Sequence, residues 1–144
     1  MIVSDITELK VITVIERGIP NEECIAILAN ERINLGQYGI MLGVYTQLNA
    51  AIPFRDHLFW FGDGFINKGD WLFIYTGMGE ARTSKTIDGN NNIYTIFWGK
   101  PKTIFADSNI VPLLFRVDAV DVLSPPENQL QIENKYSPAS LIGR

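Results

Sequence analysis

Two short stretches, Trp71-Leu-Phe-Ile-Tyr-Thr76 and Ile93-Tyr-Thr-Ile-Phe-Trp98, are apolar at nearly every position and are set off by Gly, Asn and Asp. Runs this short, rich in aromatic and branched residues, are strands rather than helices, and a strand apolar on both faces belongs inside a packed sheet. Trp71, Phe73 and Tyr75 share one face of the first, with Leu72, Ile74 and Thr76 on the other. Tyr94, Ile96 and Trp98 oppose Ile93, Thr95 and Phe97 in the second. The expectation is that these two segments lie side by side within layered sheets.

The remaining runs fit the same architecture. From Ile6 to Ile15, the residues Leu9, Val11, Thr13 and Ile15 fall on one side of an extended chain. Gly18-Ile-Pro-Asn21 is a turn; Glu22 to Ala29 could open as a helix, but Ile25 and Ile27 alternate with small residues and favour a strand. Further strands are expected over Ile40 to Tyr45, over His57 to Phe61 and over Val111 to Leu123, where a change of apolar parity predicts a bulge near Ala119. Gly77 to Asn92 reads as a long polar loop. The fold class is therefore all-β, an immunoglobulin-like β-sandwich of about seven to nine short strands over residues 1–123, with a flexible C-terminal tail over 124–144.

Composition narrows the classes of function. The 144 residues are 47% hydrophobic and 19% charged, enough for a core without disulfides or metals. The lone Cys24 cannot form an internal disulfide, which suits a reducing, cytoplasmic setting. A net charge of −4 opposes counterion-driven nucleic-acid binding, which is disfavoured as a general mode. The opening residues, interrupted by Asp5, Glu8 and Lys10, show no secretory leader, and no stretch is long and apolar enough for a membrane helix.

The run Gly69-Asp-Trp-Leu-Phe-Ile-Tyr-Thr-Gly-Met-Gly79, followed by Tyr94-Thr-Ile-Phe-Trp-Gly99 and Ile104-Phe105, resembles the lamin-tail type domains of bacteria and archaea. The segment Glu31 to Ile40 is similar in placement to that family's apolar-Asp-Leu-Ser-Gly-Trp turn, and the resemblance extends over about Glu22 to Val122. The chain departs from the pattern after Phe105, at Ala106-Asp-Ser-Asn109 and at Val117-Asp-Ala119. What the resemblance implies is an immunoglobulin-like sandwich used as a non-catalytic interaction module.

Charge and aromaticity supply the candidate site. Arg82, Lys85, Lys100 and Lys102 flank the Ile93 to Trp98 strand against only Glu80 and Asp88. Twelve of the sixteen aromatic residues lie between Phe54 and Phe105, too many for one core to absorb easily. The expected binding residues are Arg82, Lys85, Lys100 and Lys102, forming an electropositive lip, with Trp60 and Trp98 beside it. The expected occupant is a protein partner or an anionic ligand, and self-association into a homo-oligomer is a further expectation.

Catalysis is the rival class. Cys24 and His57 are the sole residues of their types, and nothing in the spacing brings them together. A small cytoplasmic enzyme would need His57 to converge with Asp56, Asp63 or Asp70 in a rim pocket. One His and one Cys cannot complete a zinc tetrad, and Asp88-Gly-Asn-Asn-Asn92 reads as a turn before it reads as a calcium loop. No catalytic residue, metal ligand or cofactor is assigned. Single-stranded nucleic acid, held by aromatics and cations, is the third alternative.

Overall fold

The computed structural model describes residues 5–47 and 50–126. The first four residues and most of the expected tail, residues 127–144, lie outside the described residues. Ten strands follow one another among the described residues: β1 (Leu9–Ile15), β2 (Cys24–Ala29), β3 (Ile33–Asn34), β4 (Tyr38–Tyr45), β5 (Ala51–Trp60), β6 (Phe65–Ile66), β7 (Trp71–Tyr75), β8 (Arg82–Lys85), β9 (Asn92–Phe97) and β10 (Ile110–Arg116). A 3-10 turn over Leu35–Gln37 precedes β4. The chain is all-β, as expected, with two strands of only two residues making the total higher than anticipated.

Five strands form one sheet in the order β1-β2-β7-β9-β8, and three form another in the order β10-β4-β5. The short β3 and β6 pair with each other. Ile25, Ile27, Leu72 and Ile74 from the first sheet meet Tyr38, Ile40 and Leu42 from the second in one buried cluster closed by Phe105. Glu8, just before β1, also ties the two sheets. Its Oε2 accepts the Tyr38 hydroxyl at 2.6 Å and the Arg116 guanidinium at 2.8 Å.

The two apolar segments are neighbours, as the sequence required, but they run parallel: Trp71 pairs with Ile93 and Tyr75 with Phe97. A parallel pair cannot be closed by a tight turn. Residues 76–81 therefore pass over the end of β9 to place β8 on its far side, and β8 returns antiparallel into β9. Gly79 makes this crossing possible, because a side chain there would collide with the Phe97 ring. The polar stretch expected as a long loop thus contains an edge strand, Arg82–Lys85, exposed throughout and paired through its backbone.

Three other expectations are corrected. In β1 the register slips between Val11 and Thr13, so the inward residues are Leu9, Val11 and Val14, while Ile15 turns out. The strand expected from His57 starts earlier, at Ala51, and its pairing with β4 is broken by a bulge between Pro53 and Leu58 that holds Asp56 at φ 60°. The last strand stops at Arg116 rather than Leu123. Its partner β4 begins at Tyr38, Val117 N–H donates to the Gln37 carbonyl, and beyond it Val120, Val122 and Leu123 are exposed with no ladder to bulge.

Candidate functional site

Alternation fixes what the five-stranded sheet shows to solvent. Leu72 and Ile74 point into the core, so Trp71, Phe73 and Tyr75 point out, and pairing carries Ile93, Thr95 and Phe97 to the same outer face. On β2 the outward residues beside them are Cys24, Ala26 and Leu28, and on β1 they include Lys10, Thr13 and Ile15. Small residues next to large rings let the rings spread across the strand. Trp71 meets Phe73 edge-on at 6.0 Å, and Tyr75 stacks on Phe97 at 5.4 Å. Each of these four rings is half-buried by its neighbours.

The charge on this face is one-sided. Among its ladder positions Lys10 and Arg82 are the charged residues, and none is acidic. The Arg82 guanidinium sits 5.7 Å from the Phe97 ring centroid, where the electron-rich ring holds it over the face. In a chain of net charge −4, that is a local reversal of sign.

The six residues expected as one site are distributed. Arg82 lies on the aromatic face. Lys85 pairs with Asn92 at the start of β9, close enough to the buried Asp70 to help hold its carboxyl low. Lys100 and Lys102 lie past the other end of β9, about 17 Å of strand away. They border an open cleft of about 350 Å³ with Asn21, Thr76 and Thr103. Trp98 turns inward, stacking on Phe59 at 5.5 Å, with the Lys100 ammonium 5.1 Å from its ring. Trp60 belongs to the outer face of the other sheet and is 53% exposed. Lys85 therefore does not share a lip with Lys100 and Lys102, because β9 runs between them, and Arg82 stands on the outer face over Phe97.

Beneath the cleft, Glu23 is buried and fully bonded. Oε1 accepts the N–H groups of Gly18 and Phe105, at 2.9 and 2.8 Å; Oε2 accepts the Thr76 hydroxyl at 2.7 Å and Ile104 N–H at 2.9 Å. Burial alone would raise its pKa, but these donors outweigh it and hold the carboxyl below its ordinary range. Asp70 behaves alike: burial opposes ionisation, and donors from Asn92, Asn67 and Asn91 overcome it. Both carboxylates organise turns.

The groups that the rival enzyme reading would need do not converge. His57 Nδ1 lies 3.1 Å from the Lys100 ammonium. Asp70 is bound into the turn before β7. The Cys24 thiol is buried and pushed up to about 12 by that burial, far from a reactive thiolate. Asp88 accepts from Thr86 and from Asn90 N–H inside the hairpin turn, and among the described residues no three His, Cys, Asp or Glu side chains gather as metal ligands.

Phe97 and Lys10 were not among the expected binding residues. The signal for Phe97 was the parity of Ile93 to Trp98; for Lys10, alternation against Leu9 and Val11 set its side of the strand, but the place of β1 next to β2 in the same sheet as β7 was hidden. Comparison of the chain with protein-family models, with curated proteins and with solved structures finds no match.

Proposed function

We propose that this chain is a non-catalytic binding module, an immunoglobulin-like sandwich related to the lamin-tail type, that holds a protein partner against the outer face of its five-stranded sheet. The observation behind this reading is the combination of Trp71, Phe73, Tyr75 and Phe97 with Lys10 and Arg82 on a face without acidic ladder positions. Aromatic rings supply contact area at low entropic cost, and flanking cations select an acidic rim on the partner. The partner is thus a protein segment with apolar side chains bordered by Asp or Glu. The lone buried Cys24 fits a cytoplasmic setting.

The test is capture from native extract by the full chain, by Lys10→Glu/Arg82→Glu and by Lys100→Ala/Lys102→Ala, with bound proteins identified by mass spectrometry. The proposed face predicts loss of capture for the first pair and retention for the second. The reverse pattern would move binding to the cleft, and capture unaffected by either pair would remove both. Retention of single-stranded oligonucleotide at low salt, lost as salt rises, would favour a nucleic-acid partner instead.

A further inference from the structure

A second surface is apolar for a different reason. In the three-stranded sheet Ile40, Leu42, Phe59 and Leu114 belong to the core cluster. Their neighbours Met41, Tyr45, Leu58, Trp60, Leu113 and Phe115 therefore face outward together. Outside the bulge, no ladder position on this outer face is charged. Leu58 and Trp60 are 57% and 53% exposed and Tyr45 is 46% exposed. Gly39 flattens the surface, since a side chain there would strike the Phe115 ring that lies across it. The Trp60 indole N–H donates to the Gly36 carbonyl at 2.7 Å, so its polar end is already satisfied and its ring can be covered without stranding a donor.

The β5 edge of this sheet is a poor place for a partner strand to add. β5 carries Pro53, which has no N–H, and the bulge around Asp56 interrupts its ladder. The Lys100 contact to His57 joins that bulge to the chain beyond β9. The face is open where the β5 edge is defended.

We infer that two copies of this chain pair through the outer faces of their three-stranded sheets, burying Leu58, Trp60 and Tyr45 of each. A second copy suits this surface because a face without charged ladder positions sets no like charges opposite one another when it meets itself, despite a net charge of −4 on each chain. Area points the same way. With about half of each of the three side chains exposed, they and their half-buried neighbours offer on the order of 500 Å² per copy. A pair then buries about 1,000 Å², the lower limit for a specific interface and the size of a weak, reversible dimer. This pairing uses a different surface from the partner face and stands independently of it.

Sedimentation velocity of the full chain over a range of concentrations tests the inference. The expected result is a monomer–dimer equilibrium with a dissociation constant on the order of 10–100 µM. Leu58→Glu should weaken it at least tenfold at unchanged Tm, and Trp60→Ala should weaken it in the same direction. Ile15→Glu, on the other sheet, should leave it intact. A wild-type chain that stays monomeric at several hundred micromolar would overturn the inference. So would dimerisation lost in Ile15→Glu but kept in Leu58→Glu.

Discussion

Glu23 and Thr76 stand 53 residues apart in the chain and meet at 2.7 Å, the hydroxyl donating to a carboxylate that also gathers three backbone N–H groups. That one side chain joins the turn before β2, the end of β7 and the approach to Phe105. Glu23→Ala leaves four donors without their acceptor and should cost about 3–5 kcal/mol. Glu23→Gln keeps the shape but turns an amide N–H₂ toward donors, and should cost about 1–3 kcal/mol. Urea unfolding of the two variants checks the order; equal stability of wild type and Glu23→Ala would contradict it.

Acid should unfold the chain through a small set of carboxylates. Glu8 is held at about 2, chiefly by the Tyr38 hydroxyl, while Glu23 and Asp70 are low because their donors outweigh burial. Each folded-state value lies below its unfolded one, so the stabilisation is complete above about pH 4.3 and is lost as pH falls through the folded values. Unfolding free energy should therefore decline from about pH 4 toward pH 2, and Glu8→Gln should flatten that decline. An identical acid limb in the variant would remove Glu8 from the account.

What the sequence made legible depended on side chains. Trp71 to Thr76 and Ile93 to Trp98 announced themselves because burial on both faces demands apolar residues at every position, and they are neighbours in the sheet. Their parallel direction was hidden. It depends on β8, whose Arg-Thr-Ser-Lys side chains are all exposed and whose pairing is made by the backbone alone. The slip in β1 and the bulge in β5 escaped notice because one extra residue changes the face of everything after it while leaving composition unchanged. The expected lip is spread out for a related reason: residues near one another in sequence, Lys85 and Lys100, stand at either end of a strand that holds them apart. The outward rings of β7 were visible as a face, but which face looked outward was settled only by the second sheet.

Close approach of backbone to ring gives a third expectation. Gly39 lies under Phe115 with the Phe59 carbonyl on its other side, and Gly79 lies against Phe97 where the chain crosses β9. Gly39→Ala and Gly79→Ala should each destabilise the fold by about 1–3 kcal/mol. Gly89→Ala, with open space around it but φ 73°, should lose only the smaller cost of its backbone conformation. Thermal unfolding of the three variants decides the ranking.

Cys24 should be silent in the folded protein. Buried, with its pKa near 12 from that burial, it offers almost no thiolate at pH 8. A thiol reagent should modify it only after denaturant is added, at a rate that follows global unfolding. Rapid labelling of the native chain would show that the outer face around β2 opens far more readily than its packing implies.

The most direct test of the binding account is a side-chain footprint of the chain by hydroxyl radicals, free and saturated with a captured partner. Protection of Trp71, Phe73, Tyr75 and Phe97, with the Ile87 turn unchanged, is the predicted result. Rings on that face oxidised equally in both samples, with protection confined to the cleft residues or to residues 127–144, would contradict it.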